Sequence, residues 1–167
     1  NLLKKNRIQT LVIDHHQINE PFPKANVIIN PKKNNGYINN DYMCATLLTF
    51  FFIDLLKDKI KTNFYLNDYL IYPLMATICD VMPLRKINRF LAIYALKNFD
   101  LKKVKSIKTI FDLLKNDKKI SINDFGFLIG PILNAGGRLD NSNLAVKLLS
   151  SNNINEIKSV GEKLISL

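Results

Sequence analysis

The sequence predicts an α/β chain that opens on two short strands and continues almost wholly as helix. Three observations predict it. Thr10-Leu-Val-Ile13 and Ala25-Asn-Val-Ile-Ile29 are β-branched apolar runs of strand length. Both stop abruptly at polar residues, Asp14 and Asn30-Pro31, as buried strands do at the carboxyl edge of a sheet where ligands collect. Beyond them, apolar residues recur at helical spacing to the end of the chain, with no internal repeat and no low-complexity linker.

The elements follow in order. Residues 32–40 are polar, rich in Asn and contain Gly36, which predicts a loop. Asp41 is placed to cap a helix over residues 42–56, apolar nearly all round and so expected to be central. Residues 70–81 are again strongly apolar but carry Pro73. A helix that starts near Pro73 loses nothing to the missing N–H, and it should end before Pro83. Residues 88–99 have helical spacing, with Phe90, Leu91, Tyr94 and Leu96 available for one broad face. Residues 106–114 place Ile107, Ile110, Phe111 and Leu114 three and four apart. After a charged turn over 115–119, Ser121 or Asn123 caps a short helix through Leu128, which Gly130-Pro131 should stop. Residues 133–140 hold Gly136-Gly137 and are expected to form a turn or loop. Residues 143–149 and 155–165 then read as two final helices.

At 167 residues the chain has the length of one domain, or of a domain plus a fragment of another. A hydrophobic fraction of 47% is enough for a real core and excludes wholesale disorder. No apolar run approaches the roughly 18 residues that a membrane span requires, and the first residues lack the pattern of a signal peptide. Cys44 and Cys79 sit inside apolar runs and read as buried thiols in a reducing compartment, with the cytoplasm as the expected location. The net charge of +10 is carried mostly by Lys, in a chain also loaded with Asn and Ile. Residues of AT-rich codons account for part of that excess. The remainder favours a polyanionic partner through phosphate neutralisation.

Three places could carry chemistry. Asp14-His15-His16 follows a strand directly and holds both histidines of the chain. Successive side chains at a strand end diverge, so the three cannot all chelate one ion; they could serve a metal and a bound phosphate separately, or form a plain polar turn. Asp80 closes the apolar run Leu74-Met-Ala-Thr-Ile-Cys79 and must find a partner, either as a cap before Pro83 or as a metal ligand. Gly130-Pro-Ile-Leu-Asn-Ala-Gly-Gly-Arg138 combines glycines that allow close backbone approach with an Arg suited to phosphate, though a helix-to-helix turn accounts for it equally.

The stretches Val12-Ile-Asp-His-His-Gln17, Ile28-Ile-Asn-Pro31 and Ala76-Thr-Ile-Cys-Asp-Val-Met-Pro-Leu84 with Asn88-Arg89 occur in that order. Gly130-Pro131 and Asn134-Ala-Gly-Gly-Arg-Leu139 come after them. Together they resemble the RecJ single-stranded-DNA exonucleases of the DHH phosphoesterase superfamily, over nearly the whole chain. The resemblance implies the C-terminal part of a DHH-type parallel-sheet domain in residues 1–100, followed by a mostly helical connector in residues 101–167. It implies a metal-dependent 5′→3′ exonuclease acting on single-stranded DNA in recombination and repair; the lack of a long apolar run separately leads to the expectation of no membrane partner. His15 and Asp80 would be metal ligands, and His16 would lie against the scissile phosphate or a second metal. Asp14 would orient the histidines. Two Mn²⁺ or Mg²⁺ ions would activate water and stabilise charge on the phosphorus oxygens. Asn134, Gly136, Gly137 and Arg138 match the segment that faces nucleic-acid phosphates.

The sequence also departs from the family pattern. Nothing before Asp14 supplies the family's earlier Asp-x-Asp ligands, and its C-terminal DHH-associated domain is absent, so an internal fragment that is inactive by itself is expected. The chain begins with Asn rather than Met, in keeping with a fragment. Ile132 stands where the family usually has Arg after Gly-Pro, Thr46-Leu47 replaces small residues, and Pro73 enters a normally helical run. Two alternatives are a DHH-family phosphodiesterase for short oligonucleotides or cyclic dinucleotides, and a catalytically dead scaffold that binds DNA or a protein partner.

Overall fold

Leu11–Ile13 (β1) and Val27–Ile29 (β2) pair in parallel, with Leu11 opposite Val27, Val12 opposite Ile28 and Ile13 opposite Ile29. Polar contacts lock the register at both ends. Thr10 N–H donates to Asn26 Oδ1 at 2.9 Å before the strands begin, and Asp14 N–H donates to Ile29 O at 3.0 Å where they finish. A computed structural model describes residues 2–33, 42–62, 65–139 and 143–167. It is mixed α/β, mostly helical with this small parallel sheet, and forms two compact units, Asn1–Leu91 and Ala92–Leu167. Among the described residues no helix is long and apolar enough to cross a membrane.

In the first unit a short helix that the sequence does not predict, Leu2–Lys5 (α1), precedes β1, and Arg7 at φ 55° turns the chain between them. Ala45–Ile60 (α2) starts later and runs further than predicted, ending on Lys61 at φ 52°. The Asp41 cap and residues 34–40 of the predicted loop lie outside the described residues. α2 is less central than its composition implies. It buries Leu47 and Leu48, while Leu55, Leu56 and Ile60 are exposed. An all-round apolar helix is covered only where neighbours reach it, and here the next helix, Ile71–Cys79 (α3), packs on it.

α3 begins before Pro73, after a 3₁₀ turn over Leu66–Tyr69. Pro73 is tolerated because it lies in the first helical turn, where N–H groups have no intrahelical acceptor. Its carbonyl accepts from Thr77 Oγ1 at 2.7 Å, and Cys44 Sγ lies 3.5 Å from that hydroxyl. Both Cys44 and Thr77 are buried, but Cys79 is exposed, contrary to expectation. The buried face of α3 carries Ile71, Leu74 and Met75, whereas Cys79 continues the outer stripe of Tyr72 and Ala76.

Lys86–Asn98 (α4) corrects another expectation. Its buried stripe is Asn88, Leu91, Ala92 and Ala95, whereas Phe90 and Tyr94 are exposed and Leu96 is half-buried. Two stripes at helical spacing compete on this segment, and the one with smaller residues faces inward. Asn88 is fully buried and donates from Nδ2 to Tyr42 O and to Pro83 O, both at 3.0 Å.

The second unit is built on Lys105–Leu113 (α5), Asn143–Ser150 (α8) and Ile154–Ile165 (α9). Ile110, Leu144, Leu148, Ile157 and Leu164 form its core, and Leu114, Ile132, Leu133 and Val160 pack against it. Gly161 lets α5 approach α9, since a Cβ there would lie 3.2 Å from Leu113 Cδ1. Replacing the fully buried Ile157 by Ala is expected to destabilise the chain by about 2–5 kcal/mol. Urea unfolding of the variant checks this, and a loss under about 1 kcal/mol would contradict the packing.

The segment between α5 and α8 differs most from the sequence reading. Ser121 and Asp124 form a capping box, and a helical run continues from Ile122–Asp124 (α6) through a π-helical turn, Phe125–Ile129, into Gly130–Ala135 (α7). It finishes as a 3₁₀ turn over Gly136–Leu139. Gly130-Pro131 therefore does not stop the helix, and of the expected turn or loop the stretch up to Ala135 is α-helix while Gly136-Gly137 begins the 3₁₀ turn. In the π-turn Gly130 N–H bonds to Phe125 O. Pro131 then falls at the start of a new α-helical register, where a missing N–H is harmless.

Candidate metal and phosphate site

The carboxyl edge of the sheet gathers the first group of predicted residues. Asp14 is held in register by its bond to Ile29 O, and Asp14 Oδ1 lies 2.7 Å from His16 Nδ1. Asn30, at the end of β2, braces the arrangement. Its Nδ2 donates to Asp14 Oδ2 at 3.3 Å and to His16 O at 3.0 Å, while its Oδ1 accepts from Lys32 N–H at 2.9 Å. Asn30 is not among the site residues that the sequence predicts; the signal for it is its position at the end of the second parallel strand.

The two histidines take different partners. His15 Nε2 lies 3.5 Å from Asp80 Oδ2, and the His15 side chain is 13% exposed against 78% for His16. Their ring centroids are 4.7 Å apart with planes inclined at 46°. Asp80 arrives at the end of α3, where its N–H bonds to Ala76 O at 2.9 Å before Val81 turns the chain at φ 53°. Asp14, His15, His16 and Asp80 thus stand together in the first unit.

The His16 side chain holds the Asp14 carboxyl below its ordinary pKa, and the backbone N–H groups of His15 and His16 reinforce the shift against the opposing effect of partial burial. A depressed carboxylate stabilises the fold above the ordinary carboxylate range, and that contribution fades as pH falls through the folded-state value. His16→Ala is expected to move the Asp14 titration upward towards its ordinary position. NMR titration of the carboxyl carbon in the metal-free chain checks this, and an unchanged midpoint would show that the backbone N–H groups alone set it. Although the Cys79 residue as a whole is exposed, partial desolvation of its thiol and then the charge of Asp80 push the thiol up, so it stays protonated at neutral pH and is a poor nucleophile.

Two donors about 2.1 Å from a shared divalent cation stand about 3.0–3.5 Å apart. His15 Nε2 and Asp80 Oδ2, at 3.5 Å, therefore fit as two ligands of one ion. Among the described residues no group of three His, Cys, Asp or Glu side chains is arranged to hold a metal.

The second group lies in the second unit. Asn134 is exposed at the end of α7, Gly136 is buried and Gly137 is open, with nothing within 4 Å of an added Cβ. The Arg138 side chain lies outside the described residues. Ile132 packs against the core. Phe127, Pro131, Asn134 and Gly137 are exposed at helical intervals along one face of the run, and Phe127 is 84% exposed. The sequence does not single out Phe127, because a helix stopped at Gly130-Pro131 cannot share a face with Asn134.

No family model matches the chain. Over 168 residues it is 30% identical to the single-stranded-DNA-specific exonuclease RecJ of Haemophilus influenzae, a match that takes in 95% of this chain and 29% of that protein. The chain is homologous to a segment of RecJ. It spans about 30% of the length of the curated RecJ relatives it matches. In fold it is similar to RecJ of Thermus thermophilus in complex with Mn²⁺, with a TM-score of 0.83 at 21% identity over 98% of this chain and 24% of that one. The same protein in complex with Mg²⁺ gives a TM-score of 0.76 at 19% identity, over 95% of this chain and 24% of that one. The two-stranded sheet and the helices after it are therefore part of a RecJ-type DHH fold.

Proposed function

We propose that the chain carries part of a two-metal phosphodiesterase site and part of the single-strand path of a 5′→3′ DNA exonuclease serving recombination and repair in the cytoplasm. The observation that carries this reading is the 3.5 Å approach of His15 Nε2 to Asp80 Oδ2 beside the Asp14–His16 pair. The single-stranded-DNA specificity in the names of the RecJ relatives, and the Mn²⁺ and Mg²⁺ in the related structures, support it. In this reading residues 1–100 belong to the catalytic DHH domain and residues 101–167 to its helical connector.

His15 and Asp80 would hold one divalent ion. Bound Mn²⁺ or Mg²⁺ supplies an activated water and stabilises charge on the phosphoryl oxygens. Asp14 fixes the His16 ring through Nδ1, which leaves Nε2 to meet a phosphate oxygen or a second ion. The isolated chain is inactive in this reading, because His15, His16 and Asp80 are fewer donors than two such ions require.

The open face of the helical run would follow the DNA. Gly137 leaves room for the backbone, Asn134 and Arg138 would contact phosphates, and Phe127 offers a ring on which a base can stack. A labelled single-stranded oligo-dT titrated into the 167-residue chain is expected to bind weakly, with affinity falling steeply as salt rises. Phe127→Ala should weaken binding about 5- to 100-fold at fixed salt while leaving the salt slope intact. Equal affinity would remove Phe127 from the path. Tight binding that ignores salt would show that Lys-driven contact is not the main force.

A further inference from the structure

The two ends of the small sheet differ in charge. The carboxyl edge carries Asp14 and, against it, Asp80, whereas the amino edge opens on a cavity of about 250 Å³ lined by Lys4, Arg7 and Lys24 together with Gln9, Thr10 and Asn26. No carboxylate lines this cavity, and none of the three cations has an ion-pair partner among the described residues. Like charges brought together without a counter-ion repel, so the cluster is more stable with an anion among them.

Several backbone groups around the cavity are already paired, and the side chains offer further donors to a ligand. Asn6 N–H, Arg7 N–H and Ile8 N–H take the carbonyls of Leu2, Leu3 and Lys4 in α1, so these acceptors do not oppose an anion. Thr10 N–H and Oγ1 both donate to Asn26 Oδ1, which fixes the Asn26 amide and makes its Nδ2 the remaining donor. Arg7 brings a planar fork suited to phosphate oxygens, and Lys4 and Lys24 add mobile point charges. From Thr10 to Asp14 the strand covers about 13 Å, so a ligand here does not share the oxygens of one at His15 and Asp80.

We propose that this amino-edge cavity is a second anion site, distinct from the His15–Asp80 group, that binds a phosphate dianion through Arg7, Lys24 and Lys4. The phosphate could be free or part of a nucleic-acid backbone, because the donors recognise the same oxygens in both. The test uses the whole 167-residue chain, followed by two-dimensional NMR, with sodium pyrophosphate as probe and sodium chloride at matched ionic strength as control. Pyrophosphate should shift the amide signals of Gln9, Thr10 and Asn26 saturably, and chloride should not. Arg7→Gln and, separately, Lys24→Gln should each weaken this binding at least about tenfold, while His15→Ala leaves it unchanged. Both replaced side chains are exposed, and an undisturbed spectrum elsewhere confirms that each variant folds. If oligo-dT produces the same shifts and competes with pyrophosphate, the phosphate belongs to nucleic acid; if pyrophosphate alone produces them, the ligand is a free phosphate compound. No saturable shift at millimolar pyrophosphate, or full binding by both variants, would overturn the proposal.

Discussion

Replacing either His15 or Asp80 by Ala in a chain of full RecJ length is expected to abolish Mn²⁺-dependent digestion of single-stranded DNA. The loss should exceed about 100-fold, since removing even an outer partner of a metal ligand already costs about 10- to 100-fold. The two side chains face each other at 3.5 Å, so under the proposed assignment each change would remove one of two donors to the same ion, and Mn²⁺ affinity should fall with activity. Asp80 is 44% exposed at its side chain and closes a helix rather than filling a core, so the fold should survive. Asp80→Asn separates charge from shape: it keeps the volume and an oxygen but loses the carboxylate, and it should behave as Asp80→Ala does. Digestion at the unmodified rate by either alanine variant, with the circular dichroism unchanged, would sink the metal assignment.

The parts of this architecture legible in the sequence are those that depend on neighbours along the chain. Apolar runs ending at Asp14 and at Asn30 mark both strands, and spacings of three and four locate the helices around Ile110 and Ile157. What stays hidden depends on choices made in three dimensions. Two stripes on α4 satisfy the same helical period, and only packing selects Leu91, Ala92 and Ala95 over Phe90 and Tyr94. Gly130-Pro131 has the composition of a helix stop, but the π-turn before it shifts the hydrogen-bond register so that Pro131 begins a new segment. That one shift conceals the exposed face shared by Phe127 and Asn134. The Asn30 brace is hidden for a different reason: a short amide at a strand end can make an Asx turn or reach across to another strand. Here it does both, bonding Lys32 N–H and Asp14.

Asn88→Asp is expected to be the most damaging single-atom-scale change in the first unit. Asn88 is fully buried and spends its amide protons on Tyr42 O and Pro83 O, while its Oδ1 has no partner. Aspartate at this position turns an oxygen towards two carbonyls that previously accepted N–H bonds. Tyr42 O is then a buried acceptor without its donor, at about 1–3 kcal/mol, and the part-buried Pro83 O loses its donor at a smaller cost, so a loss of about 1–4 kcal/mol is expected at neutral pH. The new carboxyl would also have to ionise in a buried place, which raises its pKa in the folded state above that in the unfolded chain. The sign follows: the variant is most stable below the unfolded carboxylate range and loses stability as pH rises towards the folded-state value. Asn88→Leu also leaves Tyr42 O and Pro83 O without these donors but buries no carboxyl, so its cost should be independent of pH. Because Pro83 closes the loop that begins at Asp80, and Arg85 sits over the Tyr42 ring at 4.9 Å, loosening this anchor should also lower Mn²⁺ affinity in the full-length protein. Urea unfolding at neutral and acidic pH measures the first effect and a metal titration the second. Wild-type stability of Asn88→Asp at neutral pH would show that Asn88 does not tie the Asp80 loop to Tyr42.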